Sequence, residues 1–287
     1  MHARPFKQID VFTDQPGYGN PVAVVLDAQG LSDADMRRFA AWMNLSETTF
    51  LLPPTTEGLA AGADYRLRIF SPRGELPFAG HPTLGTCHAW LQAGHAPRNP
   101  AVVVQETALG LVRIAREGER LAFAAPPLKR HSPSPALVPL VASALGLRPH
   151  QILGAQMLDN GPVWLGLLVD SAQTVLGLQP DHARLKDLGQ DVGVVHVSPQ
   201  ADQTGAPGVV VRAFAAPMGN PEDPVTGSLN ASLAEWLIAE GLAPRGYQVA
   251  QGECLGRAGR VHIRHDDTGQ VWVGGHCVTC IEGTALL

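Results

Sequence analysis

The sequence predicts an α+β protein built from two similar halves. Three observations carry that prediction. First, Gly 31 and Pro 24 in 287 residues favour many turns and short strands over long helices. Second, a polar, proline-rich stretch, "APPLKRHSPSP" (Ala125 to Pro135), has no apolar periodicity and reads as a linker. Third, "RIFSPRGELPFAGHPTLGTCHAWL" (Arg68 to Leu91) resembles "RAFAAPMGNPEDPVTGSLNASLAEWL" (Arg212 to Leu237). Each copy runs Arg-x-Phe on a strand, a Pro/Gly loop with an acidic residue, a glycine, and a helix ending Trp-Leu. The predicted domains are residues 1–126 and 136–287, with the last strand able to pack back on the first domain.

The elements follow in order. "FKQIDVFT" and "PVAVVLD" flank the turn-rich "DQPGYGN" and read as a hairpin. In "LSDADMRRFAAWMN", Ser32 is an N-cap with Asp35 three residues on, and Met36, Phe39, Ala40 and Met43 share a helical face. "TTFLLP" and "DYRLRIFS" read as strands. "PTLGTCHAWLQAG" reads as a helix, with Pro82 in its first turn and Gly94 as its stop. "AVVVQET" is a strand, and "GLVRIAREGERLAFAAP" a hairpin through Glu117-Gly118. After the linker come a helix ("ALVPLVASALG"), strands ("GPVWLGLLVD", "VGVVHVSP", "GVVVRAFA"), a helix ("SLNASLAEWLIAEG") and terminal strands through "DDTGQ".

The totals exclude several classes. A 45% hydrophobic, 16% charged composition is a normal globular balance, and at net charge -5 there is no basic block to hold a nucleic acid. "MHARPFKQID" has no apolar stretch after its basic residues, and no segment approaches a membrane span. Four cysteines in this length make no disulfide framework, so the expected location is cytoplasmic.

The duplicated loops carry the chemistry. A helix start exposes unpaired N–H groups and partial positive charge, and two converging starts would hold a substrate carboxylate. Gly80, Gly85 and Gly227 permit close approach of a ligand or another backbone, or serve turn geometry alone. His81 is a cap or surface group in the bland reading, and a donor or proton shuttle in the chemical one. Asp223, in "NPEDPVTGS", either caps the second helix or acts on a ligand. Ser228 is a plain cap or a carboxylate-binding hydroxyl. Glu47 is the sharpest candidate, because alternation puts it on a face with Leu45, Thr49 and Leu51. Desolvation there would raise its pKa towards the range a carbon-acid base needs, whereas a solvated strand-end glutamate is the ordinary alternative.

Other clusters point nowhere. In "GGHCVTC", His276 and Cys280 would share a strand face while Cys277 points away, so a chelating set is not expected and the cysteines read as buried. "HIRH" fails in the same way, and His81 and His88 lie two helical turns apart. The sequence contains no metal-binding, phosphate-loop or nucleophile-elbow pattern.

"VFTDQPGYGNPVAVVLDA", "NLSETTFL", "ELPFAGHPTLG", "EDPVTGS" and "QGECLGR" together resemble the phenazine-biosynthesis PhzF-like family, of the diaminopimelate-epimerase-like fold, over nearly the whole chain. The resemblance implies two pseudo-two-fold-related domains, each a β-barrel-like sheet around a central helix, with the active site between them. It implies no cofactor and, in many members, a homodimer. Glu47 would be the acid/base, with His81 and Asp223 assisting by hydrogen bonding and proton relay. Gly80, Gly227 and Ser228 would contact the substrate at its carboxylate. The family's best-known activity isomerises a dihydro-hydroxyanthranilate by a proton shift. One departure bears on substrate: members often read Gly-Ser-Ala-His where this chain has "GSLNAS", with Leu229 and Asn230. Related epimerases place a cysteine in each loop. This chain has none there, so a single carboxylate would both remove and return the proton. The expected function is a cofactor-independent isomerase acting on a small carboxylate-bearing substrate. The alternatives are an epimerase using Asp223 as second acid and a non-catalytic small-molecule binding protein.

Overall fold

A computed structural model describes residues 2–198 and 207–287; Pro199, last of the predicted strand "VGVVHVSP", lies outside them. In chain order the elements are β1 (Ala3–Val11), β2 (Asn20–Val25), α1 (Asp33–Met43), β3 (Glu47–Leu52), α2 (Thr56–Ala60), β4 (Tyr65–Ser71), β5 (Gly74–Leu76), α3 (Gly80–Gln92), β6 (Val102–Thr107), β7 (Gly110–Glu117) and β8 (Arg120–Ala124). Then come β9 (Lys129–His131), α4 (Leu137–Leu145), β10 (Ile152–Asp159), β11 (Val163–Val169), α5 (Ala172–Leu176), α6 (His182–Leu188), β12 (Asp191–Val197), β13 (Val209–Ala215) and β14 (Asn220–Asp223). The chain ends with α7 (Gly227–Ala239), β15 (Gly246–Gln251), β16 (Gly259–His265), β17 (Val271–Gly275) and β18 (Cys277–Leu286). None of the described helices is long and apolar enough to cross a membrane.

The chain forms two compact units, Met1–Ala124 with Gly274–Leu287, and Ala125–Val273. In unit 1, β1 pairs antiparallel with both β18 and β2. The path continues parallel to β3, antiparallel to β4, parallel to β6 and antiparallel through β7 to β8, while β5 folds back on β4. Unit 2 repeats the order. β10 pairs antiparallel with β11, β11 parallel with β12, β12 antiparallel with β13, β13 parallel with β15 and β15 antiparallel with β16, while β14 folds back on β13. The proline-rich stretch 125–135 is not featureless: Lys129–His131 between its prolines pairs with β10 at the end of the unit 2 path. Prolines are tolerated there because such a strand has one unpaired side.

Each path curls around one helix. Ten of the thirteen residues of α3 are buried, and it packs on β1, β2, β3, β8 and β18. A helix buried nearly all round must lie inside its sheet, not on it. Its polar positions are bonded in place: Thr86 donates to the Thr49 hydroxyl at 2.8 Å, and Gln105 donates to the Thr83 hydroxyl at 3.1 Å. α7 has the same status in unit 2, packing on β10 and β16, with Leu229 over Gly193 and Trp236 over Gly166. The outer faces are covered by the other helices. Met36 and Ala40 of α1 join Val25, Phe50 and Phe70, and α4, α5 and α6 cover Leu165, Leu167, Val192 and Val194.

Candidate active site

Glu47 opens β3, and its side chain is 15% exposed. Pairing of β3 with β2 and β4 turns Glu47 and Thr49 to the same face, and Thr49 meets Thr86 of α3. Glu47 therefore points at the start of α3, where its Oε2 lies 3.3 Å from His81 Nε2. That is an ion-pair distance without the alignment of a hydrogen bond. His81 is neither a cap nor a surface group. The N-cap is Ala79, and His81 is 5% exposed. Burial drops its imidazole pKa to about 3, against a smaller upward effect of its hydrogen bond to the Pro21 backbone. It is therefore neutral near pH 7.

In unit 2 the N-cap of α7 is Thr226, whose hydroxyl turns away from the helix amides and donates to Asp223 Oδ2 at 2.5 Å. Asn220 donates to Asp223 Oδ1 at 3.3 Å. Gln251 on β15 holds the loop from beneath, bonding the Thr226 amide and hydroxyl and the Asp223 carbonyl. Ser228 accepts from Trp164 Nε1 at 3.4 Å, and its carbonyl accepts from Asn160 Nδ2 at 2.9 Å. Gly80 and Gly227 are the first residues of α3 and α7. Neither helix has a side-chain cap bond or an acid in its first turn, which leaves the amides of both starts suited to an anion.

Three features escaped the sequence reading. The acidic residue of each repeat serves its arginine: Arg68 binds Glu75 in a two-bonded fork, and Arg212 binds Glu222 likewise. The two arginines also lie over Phe70 and Phe214, at 5.1 and 5.0 Å from the ring centres. Leu229 and Asn230, where the chain departs from the common pattern, are core residues. Leu229 is fully buried, and Asn230 spends its amide on Gln251 and the Thr226 carbonyl at 2.8 Å each. The cysteines of "GGHCVTC" correct an expectation: Cys277 is half-buried and Cys280 is exposed, so neither is a fully buried strand residue. The register of β1 against β18 slips between Gln8 and Ile9, skipping Cys280, so strict alternation does not apply there.

A family model described as phenazine biosynthesis-like protein matches residues 9–283. The chain belongs to the PhzF family. It is 35% identical over 291 residues to the trans-2,3-dihydro-3-hydroxyanthranilate isomerase of Pseudomonas aeruginosa, covering 97% of this chain and 98% of that one. It is 34% identical over 301 residues to antisense-enhancing sequence 1 of Schizosaccharomyces pombe, covering both chains fully. The crystal structure of a PhzF-family phenazine biosynthesis protein from Bacillus anthracis superposes with a TM-score of 0.84 over the whole of both chains at 24% identity, a likeness of fold. This PhzF-family chain is accordingly an enzyme of the isomerase and epimerase type. Its fold is the diaminopimelate-epimerase-like α+β fold, one helix wrapped by sheet in each unit.

Proposed function

We propose that this PhzF-family enzyme shifts a proton on a small, carboxylate-bearing, cyclic amino-acid-like substrate, without a cofactor, using Glu47 as acid and base. The 3.3 Å approach of Glu47 Oε2 to His81 Nε2 carries the reading. His81 gives its other ring nitrogen to Pro21, so its neutral Nε2 is an acceptor facing a carboxyl oxygen. Two acceptors that close repel while both are unprotonated, so a proton on the carboxyl relieves the contact. A carboxyl that holds or releases a proton beside a neutral imidazole suits general acid–base work. Glu47 takes the proton from carbon and returns it to another atom on the same face. His81 stabilises the protonated carboxyl in between. Asp223 keeps its assisting role, and Gly80, Gly227 and Ser228 contact the substrate. A small-molecule carboxylate is the partner and the cytoplasm the location.

The test is turnover of trans-2,3-dihydro-3-hydroxyanthranilate in deuterated water. Glu47→Gln keeps shape and hydrogen bonding but cannot move a proton. It should lower kcat by at least about a hundredfold, in line with positioned acid–base catalysis, with an unchanged circular dichroism spectrum. Near-normal turnover by that variant removes Glu47 from the chemistry.

A further inference from the structure

The repeat extends further back than its sequence shows. Glu47 pairs in parallel with Val22 and precedes Thr48, which faces Phe70. Asp191 pairs in parallel with Trp164 and precedes Val192, which faces Phe214. Phe70 and Phe214 close the two Arg-x-Phe units. The spacing agrees, since 68 minus 47 and 212 minus 191 are both 21. Asp191 is thus the unit 2 counterpart of Glu47. It shares a strand face with Gly193, which meets Leu229, so its carboxyl lies on the α7 side of β12.

What surrounds it differs from unit 1. The helix position matching His81 is Ser228, which is occupied by Trp164, the residue opposite Asp191. Among the described residues, Asp191 Oδ1 is buried and has no hydrogen-bond partner. Asn160, just past β10, is 6% exposed and fixed to the Ser228 carbonyl through Nδ2, and its Oδ1 is likewise buried and unsatisfied. An unsatisfied buried acceptor is costly, so one held to the start of α7 and another opposite the tryptophan that reaches that start call for an explanation. Both lack a donor, whereas the first turn of α7 has no side-chain cap and no acid of its own to serve as acceptor. A ligand bearing a carboxylate and an adjacent donor group satisfies both sets.

We propose that Asp191 and Asn160 form a second polar subsite at the start of α7, which accepts hydrogen bonds from an amino or hydroxyl group of the ligand. The proposal rests on the reading above that the helix start takes the ligand's carboxylate. Burial raises the Asp191 carboxyl to about 6, so at pH 8 it is an anionic acceptor.

Calorimetric titration of the full chain at pH 8 with benzoate, anthranilate and 3-hydroxyanthranilate tests it. The last is the aromatic analogue of the relative's substrate and, as an oxidisable o-aminophenol, is titrated under argon. The wild type should bind 3-hydroxyanthranilate at least about tenfold tighter than benzoate, the factor that about 1.4 kcal/mol gives. Asp191→Ala should erase that difference and leave benzoate affinity within about twofold. Asp191→Asn, which keeps Oδ1, should retain part of it and serves if the alanine variant does not fold. Equal loss for all three ligands would make Asp191 merely structural. No loss would mean that water satisfies these oxygens, and the subsite falls. If benzoate binds and the added groups gain nothing, the carboxylate reading stands without the subsite. If benzoate does not bind but the amine- or hydroxyl-bearing ligands do, and Asp191→Ala weakens them at least about tenfold, the added groups supply the affinity and the subsite stands. Binding of none overturns both.

Discussion

Arg212 and Glu222 show what a single residue pair contributes. Their side chains are 6% and 7% exposed, and the remaining guanidinium donor reaches the carbonyls of Val175 and Leu178. Removing one partner of such a pair strands a buried charge, at a cost of about 3–5 kcal/mol. The Arg68–Glu75 fork has the same bonds, but its members are 15% and 32% exposed, and Asp33 also holds Arg68. Water screens it, and its loss costs about 1 kcal/mol. Glu222→Gln should therefore destabilise the protein several times more than Glu75→Gln in chemical denaturation; equal losses would contradict the burial argument. The sequence displayed both glutamates but not their role. The arginine partners are seven and ten residues away, and only the fold-back of β5 and β14 brings them together. Glu47 was legible because alternation marks the face of a strand. Asp191 was not, because its neighbourhood in sequence carries no motif and its likeness to Glu47 exists only in register.

The elements tell the same story at greater length. α3 and α7 were legible as helices because each is a long apolar run opened by glycine. β10, β14 and the short α5 and α6 were not, because the pairing and packing of their neighbours define them more than local propensity does. Gly85 shows how an element is seated. A Cβ there would lie 2.4 Å from Val22 Cγ1 and 3.0 Å from Val11 Cγ2, so at this point α3 comes close to β1 and β2 because a side chain is missing. The close neighbours of this glycine are neither ligand nor backbone but valine side chains of the sheet. Gly85→Ala should cost about 1–3 kcal/mol as overpacking. Adding Val22→Ala should return part of that cost, and a strictly additive double variant would argue against direct contact.

Protonation ties residues to the stability of the whole chain. Burial lowers the His81 pKa to about 3 and, with Lys7, the His88 pKa to about 4, both from 6.5. The unfolded chain takes up these protons first, so their contribution is full above pH 6.5 and is lost as pH falls towards 4 and 3. Asp191 runs the other way. Its raised pKa makes its contribution full below 3.8 and lost as pH rises through about 6. In the ligand-free protein, Asp191→Asn should therefore raise Tm at pH 8 and leave it nearly unchanged at pH 3.5. His81→Asn should flatten the fall of Tm between pH 6.5 and 4. A Tm difference for Asp191→Asn that is the same at both pH values would rule out the buried-carboxyl origin.

The pairing of β1 with β18, from Ala3 opposite Leu286 to Val11 opposite Cys277, joins the earliest strand to the latest. During synthesis the first sheet waits with one flank open while the ribosome makes everything in between. Nascent chains stalled before residue 277 should bind chaperones and be cut by protease within β1, and that vulnerability should vanish once the final ten-residue strand leaves the exit tunnel.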